Sequence, residues 1–115
     1  MTVDELIAAT GFAAVVLADG GQTVTGGFVG DRPSEAIAKA REGYALITSL
    51  PNTAMAAAAY GTMASCLILT DGVTPGEDLV QAACGHEVNL LQSPAGAFAT
   101  AVLVGRVLEK GTGAT

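Results

Sequence analysis

The chain has 115 residues, the length of one domain, and half of them are apolar while 14% are charged, which excludes a disordered segment. Five Lys and Arg against eleven Asp and Glu leave a formal charge of −6, and the basic residues are scattered singly. Without a basic patch to follow a phosphate backbone, nucleic acid is not an expected partner.

The chain opens with Thr2-Val3-Asp4-Glu5, a capping box ahead of a short helix that Gly11 can end. Ala13–Ala18 is rich in β-branched residues and reads as a strand. Asp19-Gly20-Gly21-Gln22 is a turn, and Thr23–Val29 is a second extended segment. A unit then repeats. Asp31-Arg32-Pro33 opens a helix stopped by Gly43, and Tyr44–Ser49 is a strand. Pro51-Asn52-Thr53 starts the next helix, and Cys66–Asp71 is the next strand. Thr74-Pro75-Gly76-Glu77 fits a capping box with Pro at the first helical position. Val88–Gln92 is the last strand, and Ser93-Pro94 begins a final helix reaching Lys110, with 111–115 expected as a flexible tail. Alternation at this spacing implies right-handed crossovers and a parallel sheet. The expected fold is α/β: one three-layer domain over residues 1–110, its mostly parallel sheet flanked by helices. No aromatic besides Phe12, Phe28, Phe98, Tyr44 and Tyr60 is present, so Ala, Val, Leu and Ile must form the core.

Gly43–Thr70 and Val88–Gly105 carry no charge, yet Pro51-Asn52-Thr53 and Gln92-Ser93-Pro94 interrupt them. A membrane helix needs about 20 apolar residues, so these stretches read instead as strands buried on both faces. Cys66 and Cys84 show no ligand spacing and read as small buried apolar residues. A reducing, cytoplasmic setting is expected.

Thr25, Ser49, Asn52, Thr53, Thr70, Asp71, Gln92 and Ser93 are expected at carboxyl ends of strands or at the helix starts that follow, where open α/β sheets bind ligands. A candidate pocket therefore gathers Thr25, Gly26, Gly27, Asp31, Ser49, Asn52, Thr53, Asp71 and Ser93. Helix capping alone would also select Ser, Thr, Asn and Asp there. The helix after Asn52 is apolar or small on every side, so one sheet face cannot account for its surface. In the last helix Ala97, Phe98, Ala101, Val104, Gly105 and Leu108 form a stripe, with Leu103 and Val107 opposite. These helices suggest a homodimer through Met55, Ala58, Ala59, Leu103 and Val107.

Reactive motifs are wanting. Neither Lys39 nor Lys110 sits in a Walker loop, Gly26–Gly30 has the wrong spacing for a dinucleotide fingerprint, and GxSxG is absent. His86, the only histidine, stands beside Glu87 in an expected loop and reads as solvated. No catalytic set, metal site or cofactor is expected. A weak enzyme using Asp31, His86 or Asp71 as acid or base is the third reading.

Val24-Thr25-Gly26-Gly27-Phe28-Val29-Gly30-Asp31, followed by a helix and Gly43-Tyr44-Ala45-Leu46-Ile47-Thr48, resembles the DRTGG domain. That family occurs at the N-terminus of HPr kinase-like proteins, in some phosphotransacetylases, and between CBS domains in certain pyrophosphatases. Short stand-alone members, some encoded beside iron hydrogenases, look nearest. The resemblance extends through the Asn52 turn, Thr70-Asp71-Gly72 and Ser93–Phe98. It implies an HPr kinase N-terminal domain-like fold and a non-catalytic module that dimerises and serves a larger enzyme, a hydrogenase-associated protein or a signalling protein. A nucleotide or phosphorylated-metabolite sensor is the alternative. Kinase activity is not implied, since it belongs to a separate P-loop domain. Gly21-Gln22 stands where the family's Asp-Arg would precede Val-Thr-Gly-Gly, which puts a family ligand site here in question.

Overall fold

Thr2 Oγ1 accepts from the Glu5 N–H at 3.2 Å while Glu5 Oε1 accepts from the Thr2 N–H at 2.8 Å, the reciprocal cap expected there. It starts α1 (Val3–Thr10), which Gly11 closes at φ 75°. This structure, a computed structural model, describes residues 1–111. The remaining elements are β1 (Ala13–Val16), β2 (Gly26–Val29), α2 (Pro33–Lys39), β3 (Tyr44–Thr48), α3 (Thr53–Gly61), β4 (Cys66–Leu69), α4 (Glu77–Gly85), β5 (Leu90–Gln92) and α5 (Ala97–Gly111). The expected tail lies outside the described residues except for Gly111, which ends α5.

The five strands form one sheet in the order β1-β5-β4-β3-β2. β2 through β5 are parallel, each beside its predecessor, and β1 lies antiparallel on β5, with Ala13 opposite Gln92. Crossovers of one hand stepping in one direction place their helices on one face. Leu46, Leu67, Leu69 and Leu90 accordingly point into a core with Ala36 of α2, Met55 of α3 and Leu79 of α4. The alternate residues Ala45, Ile47, Cys66, Ile68 and Leu91 face the other side, where Val3 and Leu6 of α1 and Val104 of α5 meet them. The two chain ends thus cover the face that the crossovers leave bare.

Several sequence expectations change. Asp19-Gly20-Gly21-Gln22 turns, with the Gly21 N–H on Asp19 Oδ1 at 3.0 Å, but it makes no hairpin. β1 and β2 occupy opposite edges of the sheet, and the segment between them runs beside the N-terminus, where the Val24 N–H donates to the Met1 carbonyl. α2 ends at Lys39, short of Gly43. Gly76 rather than Thr74 caps α4, with no side-chain bond, so Pro75 lies outside the helix. α5 starts at Ala97 instead of at Ser93-Pro94. Phe98, placed in the apolar stripe by periodicity, is 77% exposed, while Val107 leans on the core. Cys66 is buried but Cys84 is exposed, and both are free. Burial pushes the Cys66 thiol up to about 12.

The expected dimer residues Met55, Ala58 and Ala59 are fully buried within the chain. α3 is the middle helix of its layer, packed between α2 and α4 as well as on the sheet. Its apolar sides are covered by helices of its own chain, and alanines let the three approach closely. No second copy is required to explain that pattern. Among the described residues no helix is long and apolar enough to cross a membrane.

Placing a carboxylate at this packed site should unfold the domain rather than split a dimer. Ala58→Glu is expected to remove several kcal/mol, since an unpaired buried charge has no partner to offset desolvation. Thermal unfolding checks this. A soluble variant melting at the parent temperature would contradict the assignment of Ala58 to the core.

Candidate functional site

The nine residues expected to share a pocket divide between the two ends of the sheet. Asp31, Ser49, Asn52, Thr53, Asp71 and Ser93 follow their strands at the carboxyl edge, as expected. Thr25 instead precedes β2, and Gly26 and Gly27 begin it in register with Tyr44 and Ala45, so these three lie toward the amino edge.

At the carboxyl edge the polar groups tie neighbouring segments together. Asp31 accepts from Thr48 Oγ1 at 2.7 Å, from the Ser49 N–H at 3.0 Å and from Ser49 Oγ at 3.1 Å. This clasps the loop after β2 to the end of β3, and these bonds hold the Asp31 carboxyl below its usual range, the Thr48 bond most strongly. Asn52 Oδ1 caps α3 by accepting from the Ala54 N–H at 2.7 Å. Asp71 (φ 62°) and Gly72 (φ 64°) form a turn closed by the Val73 N–H on the Thr70 carbonyl, the conformation that Asp-Gly favours. Their own N–H groups donate to Ala95 and Ser93 carbonyls, so the ends of β4 and β5 are joined. Buried Ser93 Oγ pairs with Thr100 Oγ1 at 2.8 Å. Thr53 is the exposed first residue of α3.

Within Thr25-Gly26-Gly27 the first glycine serves packing. A Cβ on Gly26 would stand 2.7 Å from the Tyr44 ring. Gly43, at φ 83°, would bring a Cβ equally close to Thr25 Oγ1, while Gly27 has room for one. Gly26 is therefore kept small by Tyr44, and Gly43 by Thr25, without any phosphate.

The larger concavity is at the opposite end. A groove of about 750 Å³ opens at the amino edge, with Thr25, Glu42, Tyr60, Met63, His86 and Glu87 among its walls. α3 and α4 both end there in the same way. Met63 (φ 57°) and Glu87 (φ 56°) take the left-handed position usually given to Gly. Each ending is closed by a six-residue return bond, Ala64 N–H to Ala59 carbonyl at 2.9 Å and Val88 N–H to Ala83 carbonyl at 2.8 Å. Two residues further on, Ser65 and Asn89 pin the floor. Ser65 Oγ donates to the Gly43 carbonyl at 2.9 Å. Buried Asn89 donates to the Ser65 and Asp19 carbonyls and accepts from the Asp19 N–H, fixing the β1–β2 connection.

His86 is the C-cap of α4 and stacks on Tyr60, with ring centroids 4.8 Å apart. His86 thus belongs to a helix end and a groove rather than to the free loop that its sequence neighbourhood suggests. The available signal for the groove is the matching spacing of Gly61-Thr62-Met63-Ala64-Ser65 and Gly85-His86-Glu87-Val88-Asn89. Among the described residues, no group of three His, Cys, Asp or Glu side chains could hold a metal ion.

No family model matches the chain, and no curated protein matches it. Among solved structures, it is similar to the crystal structure of the CBS and DRTGG domains of the regulatory region of Clostridium perfringens pyrophosphatase, complexed with the activator diadenosine tetraphosphate. The TM-score is 0.73 at 18% identity, over 93% of this chain and 47% of that one. The chain thus spans about half the length of that neighbour. The likeness is one of fold: the architecture is a DRTGG-like α/β domain with a mostly parallel sheet, as the resemblance implied.

Two outcomes follow from these clasps and endings. Asp31→Asn should cost about 1 kcal/mol at neutral pH, a charged hydrogen bond discounted for exposure. Because the folded carboxyl sits below its unfolded value of about 3.9, that stabilisation is present above about pH 4 and is lost as pH falls through the folded pKa. The gap between parent and variant melting curves should therefore close in acid. A gap constant from pH 7 to pH 2 would contradict the clasp. Met63→Gly should stabilise the domain by up to about 1 kcal/mol in urea titrations, relieving a left-handed non-glycine residue.

Proposed function

We propose that the chain is a non-catalytic regulatory domain that associates with a second copy and serves a larger enzyme or signalling assembly. The observation that carries this reading is the outer face of α5. Phe98 stands 77% exposed and Val102, one turn on, 37% exposed, while Leu103, further round the helix, is 38% exposed. These side chains have little part in the chain's own packing, and an exposed group of large apolar residues marks an interaction surface. Leu103 thus stays in the proposed interface, Phe98 and Val102 join it, and Val107 contributes from its partly buried position.

The DRTGG-like fold supports the regulatory part, since the neighbour's domains belong to the regulatory region of a pyrophosphatase. The carboxyl edge also supports it: Thr48 bonds Asp31 across two loops and the Asp71 and Gly72 N–H groups donate to carbonyls of the loop after β5, an arrangement suited to holding a scaffold.

A second reading, a nucleotide or phosphorylated-metabolite sensor at the carboxyl edge, is favoured by the neighbour's complex with diadenosine tetraphosphate. It predicts a raised melting temperature with that compound, corresponding to roughly 2.7 kcal/mol at a hundredfold excess over Kd. An unchanged melting curve would discard it.

The dimer reading is checked by light scattering. It predicts twice the 11.4 kDa chain mass and single-chain mass for Leu103→Glu, with the variant still folded by circular dichroism. Single-chain mass for the parent at tens of micromolar, the top of the affinity range for a weak complex (about 10⁻⁵ M), would refute it.

A further inference from the structure

The groove at the amino edge has a charge and a surface that select one kind of ligand. Its volume of about 750 Å³ falls within the roughly 300–1,000 Å³ of small-molecule sites. α3 and α4 both point their C-termini at it, and each helix end carries the equivalent of about half a negative charge. Glu42 and Glu87, both exposed, are acidic residues of its lining. Among the described residues no Lys or Arg lines it, and Arg41, next to Glu42, is not part of the wall. Phosphate-bearing ligands would meet repulsion here.

The same groove offers apolar surface for a stem. Tyr60 is 60% exposed and Met63 is 63% exposed, and the Tyr60 ring is held in place by its stack with His86. An aromatic face beside carboxylates is the setting in which an organic cation gains both ion pairing and cation–π attraction. Met63 and Glu87 also keep side chains at positions where Gly would be easier for the backbone, and both residues line the groove.

We propose that this groove binds an alkyl guanidinium or ammonium group, with Glu42 and Glu87 opposing its charge and Tyr60 and Met63 receiving its stem. The site lies at the end of the sheet opposite the carboxyl edge and does not use the outer face of α5. It therefore stands or falls separately from the regulatory dimer.

The test is an amide NMR titration of the full chain at low ionic strength, with agmatine in one arm and the blocked tripeptide acetyl-Ala-Arg-Ala-amide in the other. Saturable shifts are expected at Tyr60–Ser65 and His86–Asn89. Saturation by agmatine identifies a free amine as sufficient, and saturation by the peptide alone identifies a partner's arginine; either supports the site. Glu87→Gln and Glu42→Gln should each weaken binding roughly threefold to tenfold, and added salt should weaken it further. Tyr60→Leu, which keeps an apolar side chain on the helix, should also weaken it severalfold while circular dichroism stays unchanged. The proposal is overturned if neither probe saturates by about 10 mM, well above a millimolar Kd. Unchanged affinity in both Gln variants, or ATP shifting the same amides as strongly as agmatine, would overturn it equally.

Discussion

The handedness of parallel crossovers governs this molecule. Each strand from β2 to β5 lies beside the one before it, so three connections of one hand deliver α2, α3 and α4 to one face of the sheet. The other face would be bare, and strands as apolar as Cys66–Leu69 cannot face water on either side. α1 and α5 cover it, and Val3, Leu6 and Val104 complete a second buried core. β1 then pairs antiparallel with β5, and the Asp19–Val24 segment has to travel around to the far edge. Asn89, bonded to Asp19 through both ends of its amide, holds that traverse in place.

The same constraint decides where a ligand could go. Doubly wound sheets bind ligands where the strand order reverses and adjacent loops diverge. The parallel strands here never reverse, so their carboxyl-edge loops stay side by side. Asp31 joins the first to the second, and Asp71 and Gly72 join the third to the fourth. Residues that elsewhere would face a substrate hold loops together. At the opposite edge, α3 and α4 end and turn back through Met63 and Glu87, leaving a groove between the helix ends and the Gln22–Thr25 segment.

Much of this was readable from local chemistry. Thr2 with Glu5, Gly11 and Asn52 announced helix boundaries by bonds made within a few residues, and each bond is present. The strand–helix repeat revealed the parallel sheet. What escaped was set by distant contacts. Asp19-Gly20-Gly21 suggests a local return, yet β1's partner is β5, near the other end of the chain. An all-round apolar helix such as Thr53–Gly61 reads the same whether α2 and α4 or another copy surround it. Thr25 lies at the other end because its extended neighbourhood begins at Thr23, while pairing with β3 begins only at Gly26. The groove needed two helix endings to be seen as equivalents, which their spacing permits but their dissimilar side chains conceal.

Native-state hydrogen exchange tests the central claim, that the carboxyl edge is a closed structural clasp, most directly. The informative amides are those of Ser49, bonded to Asp31, and of Asp71 and Gly72, bonded to the Ala95 and Ser93 carbonyls. If the clasp is structural, they exchange as slowly as Leu67 and Ile68 inside β4, opening only when the domain unfolds. Exchange at open-loop rates while β4 stays protected would show a mobile edge and contradict the account.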